Sequence, residues 1–362
     1  MIDYLVVGAG LYGATFAREA TNAGKKCLVI DKRPHIGGNV YTENVQGIDV
    51  HKYGPHIFHT NSEKIWNYVN QFAEFNNYRH KVLSLYNSFL YSFPLNLKTL
   101  EQLWPGLEDK QLLEKFYSGR SDHQAWENLE DWAIAEVGKE IYDKFIYGYT
   151  KKQWGTEPRN LPSNIISRIP VRTNRNDDYH KAKFSGIPVN GYTDMVSNML
   201  DGIDVMLNVN YLHLRETLDK RSRHVIYTGP IDEFFDYEHG ELEWRSLSFE
   251  ETLHDNTYQS VAQVNYPEGD VAYTRTVEHK HFSNTKCKHS VVTFEYPQTY
   301  KKGREKFYPI NNTFNNTLYQ KYKSMIPNSH TFGGRLAEYK YYDMDQVIGS
   351  ALSKWGKFND SF

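Results

Sequence analysis

Tyr4-Leu5-Val6-Val7-Gly8-Ala9-Gly10-Leu11-Tyr12-Gly13 is a short apolar run followed at once by three glycines at fixed spacing. A second apolar run, Cys27-Leu28-Val29-Ile30, ends at Asp31. Together they read as strand, helix and strand, with a phosphate-binding turn between the first two. Gly8 permits the tight turn out of the strand, Gly10 lets the backbone approach a pyrophosphate, and Gly13 lets the helix pack closely on the sheet. The first amides of the helix then point at the phosphates. Asp31, about 20 residues on, stands where a carboxylate meets ribose hydroxyls. A glycine-rich turn in an ordinary strand-helix unit is the plainer reading, but strand, helix and acid are all in place for a dinucleotide. Gly37-Gly38-Asn39 follows directly, and a second glycine pair under the pyrophosphate favours FAD over NAD. These residues predict an α/β chain, mixed α+β overall, built on a Rossmann-like FAD-binding domain.

The chain of 362 residues predicts two or three domains with ample core. Its 42 Lys and Arg nearly balance 44 Asp and Glu, so neither nucleic acid nor an anionic membrane is expected as a partner. No apolar run is long enough to span a bilayer. The first strand begins at residue 2, which predicts no signal peptide. The two cysteines, Cys27 in an apolar run and Cys287 in a charged stretch, suggest neither a disulfide framework nor a metal site. The cytoplasm is the expected location. The 28 tyrosines fit a ligand-rich cleft, because aromatic faces stack on nucleobases, flavins and sugars.

Further along, residues 62–155 read as mostly helical. Leu129, Ala133, Val137, Ile141 and Phe145, four apart, form the stripe that one buried helix face requires. From about 240 to 310 the pattern shortens to alternating runs such as Ser290-Val291-Val292-Thr293-Phe294-Glu295-Tyr296, which read as antiparallel sheet. Val225-Ile226-Tyr227-Thr228-Gly229-Pro230 and Thr331-Phe332-Gly333-Gly334-Arg335 read as buried strands returning to the nucleotide sheet, and a helix is expected over about 343–355. The expected division is therefore discontinuous. An FAD-binding domain takes 1–61, 186–240 and 328–362. A helical domain takes 62–155, and an antiparallel-sheet domain takes 156–185 and 241–327.

Several polar-aromatic clusters interrupt these patterns. Tyr53-Gly54-Pro55-His56-Ile57-Phe58-His59-Thr60 carries two histidines three apart. No Cys, Asp or Glu cluster accompanies them, so a flavin-lining segment or satisfied loop histidines are expected rather than a metal. Tyr147-Gly148-Tyr149-Thr150-Lys151-Lys152-Gln153-Trp154-Gly155 ends a helix and opens a loop. Tyr149 continues the stripe from Phe145, so core packing stays open for it, whereas Trp154 on a loop is harder to assign to core. Ile169-Pro170-Val171-Arg172 and Tyr179 follow, then Ala272-Tyr273-Thr274-Arg275 and Phe307-Tyr308-Pro309-Ile310. The last cluster runs from Gly333 through Arg335 and Tyr341 to Asp343. Arginine suits a diphosphate because its fork is planar and permanently charged.

Taken together, these segments resemble the bacterial UDP-galactopyranose mutases, in the same order and over nearly the whole chain. The most specific stretches are 53–60, 148–155, 169–172, 273–275 and 333–343. The resemblance implies interconversion of UDP-galactopyranose and UDP-galactofuranose with no net redox change but a need for reduced FAD. It implies attack by flavin N5 on the anomeric carbon with loss of UDP, a ring-opened flavin iminium, closure as the furanose and return of UDP. It further implies galactofuranose supply for surface glycans, a homodimer, and NAD(P)H as a possible transient reductant. It also implies a mobile substrate loop in the helical domain, 62–155, and a substrate role for the antiparallel-sheet domain, 156–185 and 241–327.

By position, the resemblance places FAD on Gly8, Gly10, Gly13, Asp31, Gly38 and Asn39, with Arg335 and Asp343 at its C-terminal contact. His56 and His59 match the pair beside the isoalloxazine, and His80 matches another flavin-side position. The backbone from Gly54 to His56 is expected to accept the N5 proton, with His56 the favoured residue. Arg172 and Arg275 match the arginines that grip the diphosphate. Tyr149 matches the uracil-stacking tyrosine, with Phe145 and Thr150 beside it and Trp154 on the mobile loop. Tyr179, Tyr308, Tyr341 and Asp343 match the remaining diphosphate and sugar contacts.

This chain departs from the family pattern in places. Ala272 stands where proline is common, Tyr147 where lysine is common, Arg175 where an aromatic is common, and Ala337-Glu338 where Gly-Thr is frequent. None removes a proposed catalytic group. A broader mutase acting also on UDP-N-acetylgalactosamine is one alternative, against which His59 argues mildly. An amine-oxidase-type flavin oxidoreductase is another, although no second nucleotide fingerprint is present for a tightly bound nicotinamide cofactor.

Overall fold

The computed structural model describes residues 1–120, 126–167, 169–283 and 285–359. The chain forms two compact units. One comprises Met1–Asn77, Lys183–Trp244 and Lys306–Phe362, the other Tyr78–Ala182 and Arg245–Glu305.

The first unit is built on five parallel strands in the order His330–Phe332, Ser222–Tyr227, Ile2–Val7, Cys27–Ile30 and Asp204–Met206. Ile2–Val7 is the middle strand, and its Leu5 and Val6 are wholly buried. A parallel strand covered on both faces needs a continuous apolar run, which is why Leu5-Val6-Val7 and Leu28-Val29-Ile30 do not alternate. The return of Val225–Tyr227 and of the 331 segment to this sheet is as the sequence predicts. Val225 pairs with Leu5 on one side and His330 on the other. Helix Leu11–Asn22 follows the first strand and packs against the C-terminal helix Met344–Asn359, Phe16 meeting Trp355 and Phe358 edge-on at 5.6 and 5.8 Å. This is the mixed α/β, Rossmann-like architecture expected. It places the glycine turn at the carboxyl end of the middle strand, where ligands bind in open α/β sheets.

The second unit carries a sheet in the order Trp244–His254, Ser290–Thr299, Arg275–Glu278, Gln263–Asn265, Val82–Tyr86 and Phe89–Phe93. Its pairs are antiparallel except for Gln263–Asn265 with Val82–Tyr86. Two strands therefore come from a region read as helical. Val82-Leu83-Ser84-Leu85-Tyr86 alternates, and Asn87 and Ser88, at φ 50° and 63°, make the two-residue turn that a hairpin prefers.

The stripe from Leu129 to Phe145 is buried in one apolar cluster, but it does not lie on one helix. Helix Leu129–Val137 stops at Gly138, whose φ is 80° and whose hypothetical Cβ would lie 2.7 Å from the Gly119 carbonyl oxygen. The chain restarts at Lys139–Ile141, widens into a π-helix over Tyr142–Tyr147 and tightens again over Gly148–Trp154. Burial, not helix continuity, keeps the four-residue spacing. Among the described residues no helix is long and apolar enough to cross a membrane.

Candidate active site

In the first unit the two glycine motifs face each other. Gly37 N–H donates to the Ala9 carbonyl at 2.9 Å, which folds the second pair beneath the first turn. A Cβ on Gly13 would stand 1.9 Å from the Gly8 carbonyl oxygen, so the helix reaches the turn only as glycine. Gly10 is different: a Cβ there would meet nothing nearer than the Gly38 Cα, at 3.6 Å, an ordinary contact. Packing alone therefore does not demand glycine at position 10. Helix Leu11–Asn22 has Gly10 as its N-cap and no side-chain cap. Asp31 is buried and already bonded, its two oxygens accepting from Ala9 N–H and Arg33 N–H, each at 2.8 Å. It therefore ties the turn to the end of the second strand, whatever else it holds. Arg33 in turn donates to the Asn39 side chain at 3.1 Å and lies over the Tyr53 ring at 4.4 Å.

The C-terminal candidates gather in the same unit. Arg335 donates to the carbonyls of Tyr342 at 2.7 Å and Phe307 at 3.3 Å, and its guanidinium faces the Tyr341 ring at 5.2 Å. Tyr341 and Tyr308 stack at 5.6 Å. Asp343 directly precedes the C-terminal helix, and its carbonyl accepts from Val347. Glu338, at one departure from the family pattern, accepts from the Gly334 amide at 3.0 Å. His56 Nδ1 donates to the Gly54 carbonyl at 2.7 Å, and the His56 amide donates to His51 at 3.1 Å. His59 lies in strand Phe58–Thr60, paired with Ser185. Among the described residues no group of three or more His, Cys, Asp or Glu could hold a metal ion.

The remaining candidates belong to the second unit. Arg172 is 8% exposed, and among the described residues its side chain makes one hydrogen bond, from Nη1 to the Asp178 carbonyl at 2.6 Å. The neighbouring acids are spoken for: Asp177 is paired with Lys81 and Lys98, and Asp178 with Lys81. Among the described residues the Arg172 guanidinium thus has no carboxylate partner. Burial pushes its pKa down while Asp178 and Asp177 pull it up. Arg275, by contrast, is paired with the buried Glu295 at 2.7 Å. Tyr149, Thr150 and Trp154 share helix Gly148–Trp154, and Gly155 in the left-handed region ends it. Trp154 is thus the last helical residue, half-buried against the apolar cluster, and the loop starts one residue later. Phe145 lies inside that cluster, with the Tyr91 ring at 5.1 Å. His80 is buried in a polar chain, between the Tyr78 hydroxyl and the Gln263 amide, each at 3.2 Å. The Tyr179 amide donates to its carbonyl at 2.8 Å. Arg175 forms a two-pronged pair with Asp109, both bonds 2.7 Å.

Sequence reasoning passed over Lys152 and Arg245. Lys152 Nζ is surrounded by four backbone carbonyls, and Arg245 closes the end of the Tyr149 helix by donating to the carbonyls of Gln153 at 2.9 Å and Lys152 at 3.3 Å. For Lys152 the available signal was its place four residues after Gly148, on the same helix face. Arg245 offered none, since its partners lie about ninety residues away in sequence.

A family model described as UDP-galactopyranose mutase matches residues 144–341, and one described as an NAD(P)-binding Rossmann-like domain matches residues 6–72. The chain is 38% identical to a probable UDP-galactopyranose mutase of Klebsiella pneumoniae, over 99% of this chain and 95% of that one. It is 37% identical to a dTDP-fucopyranose mutase of Escherichia coli, over 97% of each. A crystal structure of reduced UDP-galactopyranose mutase superposes with a TM-score of 0.76 at 13% identity, covering 100% of this chain and 96% of that one.

Proposed function

The chain belongs to the UDP-galactopyranose mutase family, and from that premise we propose that it interconverts UDP-galactopyranose and UDP-galactofuranose without net redox, using reduced FAD. The observation that carries this reading is Arg172, a buried cation with no carboxylate partner among the described residues. A buried charge is costly unless paired, and a substrate diphosphate would complete it.

The first unit fits FAD, because its glycine turn lies at the carboxyl end of the middle strand and opens a helix, Leu11–Asn22, whose N-terminus no side chain caps. Gly8, Gly10, Gly13, Gly38 and Asn39 would hold the pyrophosphate, Asp31 the ribose, and Arg335, His56, His59 and His80 the flavin end. When bound and reduced, FAD supplies the nucleophile for the anomeric carbon.

The chain's own residues do the rest. Arg172 and Arg275 hold the diphosphate and stabilise charge as it departs. Tyr149 stacks on the base, with Phe145 and Thr150 behind it. Tyr179, Tyr308, Tyr341 and Asp343 orient the sugar and phosphates. The loop after Trp154 closes to retain UDP and limit water. The backbone from Gly54 to His56, with His56 favoured, would accept a hydrogen bond from the N5 proton of the bound cofactor, and the His56 ring already braces this segment through the Gly54 carbonyl. In this reading 1–61, 186–240 and 328–362 carry most of the FAD contacts, while 62–155, 156–185 and 241–327 carry most of the nucleotide-sugar contacts. We place the enzyme in the cytoplasm as a homodimer, reduced by transient NAD(P)H and feeding galactofuranose to surface glycans.

A second reading, a mutase of dTDP-fucose, draws on the near-equal identity to the Escherichia coli enzyme. The test is anaerobic incubation with UDP-galactofuranose, dTDP-fucopyranose or UDP-N-acetylgalactosamine, with and without dithionite, and chromatography of the products. Conversion of UDP-galactofuranose alone, and only when reduced, supports the first reading. Conversion of dTDP-fucopyranose alone supports the second. No conversion of any substrate, with FAD bound, sinks both.

A further inference from the structure

We propose that Lys152 is a positioning residue that locks the helix bearing Tyr149 to the loop leading into Arg275, so that base and diphosphate are gripped by one rigid piece. This rests on the reading of Tyr149 and Arg275 given above. Lys152 Nζ donates to the carbonyls of Tyr266, Glu268, Val271 and Tyr273 at 2.5, 2.8, 2.9 and 3.0 Å. An ammonium has three protons and no acceptor, so four convergent carbonyls share them and suit the charged form. Arg275 begins its strand two residues after the last of these.

The same helix face makes a second contact with that loop. A Cβ on Gly148, one turn before Lys152, would stand 2.1 Å from the Pro267 carbonyl oxygen. Glycine therefore lets the helix touch the loop, and the ammonium one turn on holds it there. Arg245 holds the far end of the helix through the Lys152 and Gln153 carbonyls. Two of the Lys152 acceptors, Val271 and Tyr273, flank Ala272, where this chain lacks the proline common in the family. The clamp fixes the loop where φ is otherwise free.

The clamp is charge-dependent. Burial pushes the Lys152 pKa down to about 8, against the pull of Asp270 and Glu268. The other charged group at this end of the helix is the permanently charged Arg245, which bonds the Lys152 carbonyl. Lys152 is thus the group among these that changes charge just above neutrality. Losing its proton removes one of three donors and the attraction for four carbonyl dipoles.

The test measures UDP-galactose affinity of the FAD-loaded protein from about pH 7 to about pH 9, below ionisation of the uracil imide, for wild type, Lys152→Met, Lys152→Arg and Arg275→Ala. Wild-type affinity should fall about fivefold across that range. Lys152→Met should start about tenfold weaker at neutral pH and stay flat, with an unchanged flavin spectrum. Wild-type affinity in Lys152→Met, or a wild-type pH profile in it, overturns the proposal. Should Lys152→Met fail to fold, the wild-type profile decides: a flat one overturns the clamp, and a falling one that Lys152→Arg abolishes supports it. Arg275→Ala separates the two ideas. Weak binding there with a normal Lys152→Met sinks only the clamp, whereas normal binding there sinks the diphosphate assignment beneath it.

Discussion

Arg172 and Arg275 carry the same charge but meet opposite electrostatic demands. Arg275 has Glu295 beside it, so a diphosphate bound as proposed would have to compete with a buried carboxylate for that guanidinium. Among the described residues Arg172 bonds a carbonyl and no carboxylate, and Asp178 and Asp177 act on it only through their charge, so an arriving anion meets less competition there. Arg172→Ala should therefore weaken UDP binding by about 2 kcal/mol or more and cut turnover by about 100-fold, leaving the flavin spectrum intact. Arg172→Lys should rescue little, because a point charge cannot reproduce the fork. Titration calorimetry with UDP and the steady-state rate check this; a variant that turns over as wild type removes Arg172 from the site. Asp31 shows what residue type alone does not reveal. Its carboxylate satisfies two backbone amides before any ribose is considered, a structural duty invisible in the spacing that singled it out.

At the scale of elements, the glycine turn is where folding and the proposed cofactor site can be told apart by substitution. Gly13→Ala drives a methyl to 1.9 Å from the Gly8 carbonyl, so the first helix must leave the sheet and the apoprotein should lose several kcal/mol. Gly10→Ala adds a methyl with no contact under 3.6 Å, at a backbone φ of −84° that any residue adopts. Apoprotein stability should then change by less than about 1 kcal/mol, the difference between Gly and Ala at an N-cap, while FAD retention falls sharply. Thermal melts of apoprotein alongside FAD titrations check both; equal melting losses would show that Gly10 serves packing after all. The returning strands were legible for the same reason as this turn: Val225-Ile226-Tyr227 is a local apolar run whose only use is a buried parallel strand. The hairpin at 82–93 was less so, because its alternation is short and its turn is Asn-Ser rather than Asn-Gly. The break at Gly138 and the π-helix beyond it were not legible at all. The π-helix serves distant packing, and the four-residue spacing of apolar positions is the same with or without it.

For the whole molecule, the chain passes between its units at 77/78, 182/183, 244/245 and 305/306. Each unit holds a titratable group whose pKa folding pushes down, and the two respond to acid in separate windows. In the first, His224 lies between the Tyr4 and Phe358 rings, its Nε2 2.9 Å from the Thr331 hydroxyl. Burial, helped by His330 and Lys354, pushes its pKa down to about 4. The unfolded chain then binds a proton that the folded chain refuses, so stability present above about pH 6.5 is lost as pH falls through about 4. In the second unit, burial of Glu278 raises its pKa, but bonds from His281, Ser290 and the Gln259 and Tyr258 amides outweigh that and hold it at about 2. Its contribution is intact above the ordinary carboxylate range and is lost only as pH falls toward about 2. Calorimetric melts against pH should therefore give difference curves of opposite sign. His224→Phe should gain on wild type as pH falls from about 6.5 to about 4, because the variant has no proton to refuse. Glu278→Gln should start well below wild type and close the gap only below about pH 4.5, as wild type surrenders its carboxylate. Parallel curves for both variants would mean that neither group's protonation is coupled to folding. Two windows as described would mean that mild acid loosens the parallel, Rossmann-like sheet before it reaches the sheet that carries Arg275.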